Sequence, residues 1–215
     1  SVGGCRAAGI YRFEGEDITV RNCVVSDYDG DGISVQVSQR VTVEDCVCHD
    51  NAAIGIHPGS GSQDPAVRRN RSYGNGTDGL FVCWRVKRGV FEANALNDND
   101  RHGISIGHKD TDNRFIENEV TGNARSGVMF RSESEAMGAH RNVFERNRIL
   151  DNGGADDAPI LMRGHHHDVV FRGNTIGYVS APDGGRAGVH HGEHVLRLNL
   201  ADNEFVNVSE EVVVE

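Results

Sequence analysis

Apolar and polar residues alternate in short runs along this chain, and the runs recur at a nearly fixed interval. In RHGISIGHKDTDN, residues 101–113, Ile104 and Ile106 alternate with Ser105 before the pattern breaks into histidine, lysine and aspartate. Period two predicts a short strand with both isoleucines facing a core and Ser105 facing out, and Gly107 is expected to allow the corner that follows. Related segments are ITVRN (18–22), VTVED (41–45), VRRN (67–70), VFEAN (90–94), RFIEN (114–118), VFERN (143–147), VFRGN (170–174) and LADN (200–203), each ending on Asn or Asp at steps of 23–29 residues. A parallel series starts at Gly32, Gly55, Gly79, Gly103, Gly127, Pro159 and Gly188. Two residues past each Asn or Asp lies an expected apolar column of Val24, Val47, Ser72, Leu96, Val120, Ile149, Ile176 and Phe205, which only Ser72 breaks.

A unit of about two dozen residues with two or three short strands cannot bury a face alone, which is the logic of a solenoid of stacked coils. The spacing of leucine-rich repeats is absent, and so is their helical half. The pattern predicts an all-β parallel β-helix of about seven to eight coils, read as a single domain over 1–215. Asn51, Asn75, Asn99 and Asn123 sit four residues ahead of Gly55, Gly79, Gly103 and Gly127, so their amides are expected to bond up the column as a ladder.

From about Gly9 onward this repeat resembles the right-handed parallel β-helix proteins of the pectate-lyase-like superfamily. The resemblance implies a right-handed coil and a carbohydrate-active class of function that spans lyases, hydrolases, epimerases, tailspikes and adhesins. HGISIG at His102 to Gly107 is similar to the GHGISIG strand of polygalacturonases, where a histidine assists aspartates on preceding coils. Asp78 stands for one such aspartate, but Thr77 is its neighbour, and neither an NTD nor an RIK motif accompanies it.

Composition narrows the partners. Twenty-seven glycines against four prolines suit a chain of many turns. A formal net charge of −10 disfavours nucleic acid, and no apolar run approaches the ~20 residues of a membrane span. Cys5, Cys23, Cys46, Cys48 and Cys83 form no metal-finger spacing; Cys23 and Cys46 are expected to stack or to form a disulfide. No signal peptide is visible at Ser1, and the first residues read as mid-pattern, so a mature form or a fragment is expected, working in a secreted or periplasmic setting. Uncapped ends, with EEVVV near the C-terminus, point to flanking segments or a second copy that covers them.

Coils about 4.8 Å apart make neighbours of residues at equal offsets from the strand glycine. Trp84 stacks with His108, Arg85 with Lys109 and Glu133, and Arg131 with Arg163, while Asp78 and His102 precede their glycines. The expected groove has Trp84 as an aromatic wall and Arg85, Lys109, Arg131 and Arg163 as a cationic floor, with Ser105, Glu133 and His57 as further contacts. That mixture suits an acidic polysaccharide. The chemistry expected first is β-elimination, with Arg131 and Arg163 neutralising a uronate, His108 or Lys109 as base and His102 as proton donor. Glycoside hydrolysis through Asp78 is the second expectation, and a non-catalytic glycan-binding or structural module is the third.

His165, His167, His190 and His194 fall in adjacent coils with Glu193 and are candidate ligands of zinc or another transition metal. DYDGDG (27–32) opens like a calcium loop, but Ser38 stands where an EF-hand needs Glu, leaving a turn or a nonstandard calcium site. The cofactor expectation is calcium or another divalent metal. Insertions near 132–139, 152–157 and 179–185 lengthen coils five to seven and are expected to build the groove.

Overall fold

The structure, a computed structural model, describes residues 8–154, 157–180 and 186–215. Cys5 and parts of the insertions at 152–157 and 179–185 lie outside the described residues. Each coil consists of three short strands joined at corners where a single residue takes a left-handed conformation. At one corner these are Asn22, Asp45, Arg69, Ala93, Glu117 and Arg146, with φ of 52–55°. A left-handed residue swings the chain from one sheet to the next, and Asp and Asn tolerate it best.

Repetition gives three parallel sheets. A nine-stranded sheet runs from Ile10–Glu16 to Glu210–Val214, and two eight-stranded sheets run from Thr19–Arg21 to Asn199–Ala201 and from Val24–Ser26 to Glu204–Val206. The fold is therefore an all-β parallel solenoid of about eight coils. The EEVVV segment is the last strand of the nine-stranded sheet and pairs with Ala187–His191.

Inside, like stacks on like. Phe91, Phe115, Phe144 and Phe171 form a continuous pile with centroids 4.7, 4.3 and 4.5 Å apart. Ile104 and Ile106 are fully buried, as their alternation predicts. Asn51, Asn75, Asn99 and Asn123 are linked by amide bonds of 2.9–3.0 Å, and a second ladder joins Asn70, Asn94, Asn118, Asn147, Asn174 and Asn203. These ladders explain the strand glycines. A Cβ on Gly103 would lie 2.8 Å from Asn123 Nδ2 and 2.2 Å from Val120 Cγ1, so the amide occupies the space of a side chain.

Three expectations need correction. Asn22 and Asp45 are corner residues, and the ladder position in those coils belongs to Cys23 and Cys46, since Glu44 pairs with Arg68 and the Cys46 N–H donates to Asn70 Oδ1. The inward column accordingly begins at Val25 and Cys48, while Val24 is 71% exposed. Cys23, Cys46, Cys48 and Cys83 are all free thiols. Gly107 does not make the corner; His108 and Lys109 carry the positive φ, at 44° and 67°. A Cβ on Gly107 would instead meet Arg131 and Glu133 at 2.9–3.0 Å.

Asn94 shows what a ladder residue contributes. Its amide donates to Val67 O and Asn118 Oδ1, and its carbonyl accepts from the N–H and the amide of Asn70, all at 2.9–3.0 Å. Asn94→Ala strands several buried partners and is expected to cost about 3 kcal/mol or more in urea unfolding. A cost below about 1 kcal/mol would show that the ladder decorates the coil without holding it.

Candidate functional site

The outward column of the nine-stranded sheet reads Ser34, His57, Phe81, Ser105, Met129, Leu161 and His190, in register from coil to coil. His57, Phe81, Met129 and His190 in this column are partly exposed, whereas Ser34, Ser105 and Leu161 are buried, Ser105 beneath the Arg131 side chain rather than facing solvent as its alternation predicts. His57 Nδ1 lies 2.8 Å from Asp31 Oδ2, and the Phe81 ring packs edge-on against the imidazole at 5.2 Å. The carboxylate can only accept, so Nδ1 carries the proton and Nε2 keeps its lone pair. Gly59 makes room, since a Cβ there would lie 2.8 Å from His57 Nε2. Asp31 was the last aspartate of the calcium-loop reading; here its other oxygen accepts the Ile54 N–H.

Arg131 reaches back across two coils. It donates to Ser105 Oγ at 2.9 Å, Val82 O at 2.8 Å and Asp110 Oδ2 at 3.2 Å, and its guanidinium lies 4.4 Å from the centre of the Phe81 ring. Only 16% of the side chain is exposed, so the protein itself occupies most of this cation. A β-bulge after Phe130 pairs Glu133 with Gly164, so the simple offset that matched Arg131 to Arg163 ends there. Asp110 is wholly buried, which raises its pKa, yet Arg131 and the N–H groups of Val86 and Gly107 all donate to it and favour the anion.

Trp84 and His108 face each other, with ring centres 5.5 Å apart and Trp84 48% exposed. His108 is fully engaged: Nδ1 lies 3.1 Å from Cys83 Sγ and Nε2 lies 3.2 Å from Glu133 Oε1. Burial pushes the Cys83 thiol up to about 11, so it keeps its proton and donates it to Nδ1, while Nε2–H points to Glu133. No lone pair remains for a base. The expected ladder of Arg85, Lys109 and Glu133 does not form, because Glu133 turns to His108 and also accepts its N–H.

Asp78 and His102 are buried at the corner ahead of the strands, joined by a bond from the His102 N–H to Asp78 Oδ1. Burial raises the Asp78 carboxyl and lowers His102 to about 4, so at neutral pH His102 has no imidazolium proton to give. Three cations on the rim are free. Arg85, Lys109 and Arg163 are exposed and, among the described residues, make no ion pair, with Arg85 lying over the Trp84 ring at 5.6 Å. At the corners, by contrast, Arg40, Arg69, Arg88, Arg141, Arg146 and Arg197 each hold a corner carboxylate one coil below at 2.5–2.9 Å. Arg163 leads into a cleft of about 410 Å³ with Leu161, His190, His191, His194 and Glu215.

The four histidines expected to share a metal do not converge. His190 faces Glu215, His165 stacks on His194 at 4.2 Å, and His167 stacks on His140 at 3.6 Å. Among the described residues, the one group with three ligand atoms within 4.8 Å of one another is Glu135, His140 and His167. Sequence reasoning missed Asp31, Phe81, Asp110, Glu135 and His140. Asp31 could have been found by looking diagonally, one coil and a few residues before His57.

Comparison with known proteins settles the family. The family described as right handed beta helix region matches residues 1–137. This chain belongs to that right-handed β-helix family. The mannuronan C5-epimerase AlgE2 of Azotobacter vinelandii is 28% identical over 114 residues, covering 53% of this β-helix and 11% of that protein. The A-module of mannuronan C-5 epimerase AlgE6 from the same organism superposes with a TM-score of 0.80 at 20% identity, over 93% of this chain and 54% of that one. The Streptococcus pneumoniae surface protein and adhesin PfbA superposes at 0.69 with 11% identity, over 94% and 68%. The chain thus spans about a tenth of the length of the curated relatives it matches. Among the described residues, no helix is long and apolar enough to cross a membrane.

Burial lowers both His102 and His166 to about 4, so both make the stability of this β-helix depend on pH, and each contributes separately, as His102 illustrates. Its folded value, about 4, lies below the ordinary 6.5, so the unfolded chain binds more protons between those limits and stability falls as pH drops through that window. Urea unfolding at pH 7 and pH 4.5 is expected to differ by an amount on the order of 2–3 kcal/mol from this group. The difference shrinks in His102→Gln; an equal difference in that variant would place the titrating group elsewhere.

Proposed function

We propose that this chain acts on an acidic polysaccharide of the uronate class outside the cytoplasm and removes the proton at C5 of a bound sugar, with His57 as the base. The observation that carries this reading is the Asp31–His57 pair, which leaves the Nε2 lone pair of a partly exposed imidazole beside Phe81. Support comes from the unpaired rim cations Arg85, Lys109 and Arg163, which suit carboxylates along a polymer, and from exposed Trp84, which offers a flat face to a sugar ring.

Removing the C5 proton leaves the electron pair delocalised into the carboxylate, which a nearby cation stabilises. A proton from solvent water delivered to the opposite ring face inverts C5, and His57 releases the abstracted proton to solvent. Breaking the C4–O4 bond instead forms a C4=C5 double bond and releases the neighbouring sugar, on which that oxygen takes up a proton, the outcome of a lyase. The relatives named mannuronan C5-epimerases favour inversion. Relative to the sequence reading, the base moves from His108 or Lys109 to His57, and of the two neutralising arginines Arg131 is replaced while Arg163 stays, joined by Arg85 and Lys109 on the exposed rim.

The test is to incubate the protein with mannuronate and guluronate polymers in deuterated water, following deuterium at C5 by NMR and unsaturated product by ultraviolet absorbance. Deuterium incorporation without unsaturation is expected. His57→Gln should slow it by about 10²-fold or more, and His108→Ala by less than about tenfold. Binding without exchange or unsaturation would make the chain a glycan-binding module and end the catalytic reading.

A further inference from the structure

We propose that the cleft beside Arg163 is a second subsite for an acidic sugar, five coils along the face from His57, so that one polymer chain engages both places. The inference rests on the uronate reading above and extends it to a part of the face that the C5 chemistry does not use.

The cleft has the size of a ligand site, since its volume of about 410 Å³ falls within the ~300–1,000 Å³ usual for small-molecule pockets. His190 on its wall stands in the outward column that contains His57, and Phe81, Ser105, Met129 and Leu161 lie between them. At about 4.8 Å per strand those five steps amount to roughly 24 Å. A single sugar bound at His57 therefore cannot touch the cleft, whereas a polymer laid along the column reaches it.

The lining calls for a ligand with one acid group and several hydroxyls. Arg163 is exposed and, among the described residues, makes no ion pair, so its planar fork is available to a carboxylate. His191 Nδ1 lies 3.0 Å from Gly192 O, and because a carbonyl can only accept, Nδ1 carries the hydrogen and Nε2 is left for a hydroxyl. His190 Nε2 is shielded from solvent and has no hydrogen-bond partner, with Glu215 Oε1 3.2 Å away outside bonding geometry. The Glu215 side chain is 76% exposed and free to turn, so a hydroxyl set between it and His190 satisfies a polar atom that is otherwise unmet. His194, stacked on His165 at 4.2 Å, and buried Leu161 supply apolar surface for a ring. Two carboxylates, Glu193 and Glu215, beside one guanidinium weigh against a small polyanion such as phosphate, whereas their oxygens accept the hydroxyls of a sugar.

The test is calorimetric titration of the full chain with a mannuronate disaccharide, too short to reach from His57 to the cleft, and with a decasaccharide, which spans both. Joining two contacts in one ligand should make the decasaccharide bind about tenfold more tightly or better. Arg163→Gln and His191→Ala, neither in the core, should each remove most of that advantage and raise KM for polymer in the C5 exchange assay with kcat unchanged. His49→Ala, on an eight-stranded sheet, should change neither quantity. A neutral glucan of equal length should not compete, and competition by it overturns the acidic class. Equal affinity for the two lengths, or decasaccharide affinity unaltered in His191→Ala, overturns the subsite whether or not C5 exchange occurs. Length-dependent affinity that is lost in both variants, in a protein without C5 exchange, upholds the subsite and removes only the catalytic reading. Absence of binding by either oligosaccharide overturns the subsite together with the uronate reading.

Discussion

A buried side-chain amide must satisfy two donor hydrogens and an acceptor with two lone pairs, and in this molecule an identical amide one coil away supplies half of those partners. Backbone groups of the adjoining coils supply the rest, as the bonds around Asn94 and Asn118 show. This requirement fixes the rise between coils at strand spacing and fixes register, because slipping one residue strands every amide in the column. It also dictates the glycines, since the amide of Asn123 fills the place a side chain on Gly103 would take.

The same constraint decides where the chain can vary. The ladder passes from Asn118 to Asn147 across a step of 29 residues as readily as from Asn94 to Asn118 across 24, because the extra residues leave the coil between strands. The insertion at 132–139 lies on the rim in this way, where Met137 O accepts the Lys109 N–H. Corner arginines are held by the carboxylates of the coil below, whereas Arg85, Lys109 and Arg163 on the rim are not, in a chain of net charge −10.

Period, strands and the amide column from Asn51 onward were legible because they obey a fixed repeat. The first two coils were misread because Cys23 and Cys46 take the amide's place, so the nearest Asn and Asp, which are corner residues, matched the motif one position early. Equal offset showed that Trp84 and His108 meet. It was silent on how long side chains lean. Arg131 reaches back two coils to Val82, and Asp31 meets His57 on a diagonal, so neither contact follows from a column. Burial was likewise hidden for Asp110, which lies in an inward column with Val86 and Val195 but reads in sequence as part of an ordinary polar turn.

The proposed reaction requires the stacked-coil face to hold a uronate sugar against a histidine whose tautomer is fixed by an aspartate. A crystal structure with a mannuronate oligosaccharide tests it most directly. A sugar ring is expected over Phe81, its C5 side within hydrogen-bond reach of His57 Nε2 and its carboxylates toward Lys109 or Arg163. An oligosaccharide bound along either eight-stranded sheet, or one whose reducing and non-reducing ends both lie away from His57, would contradict it.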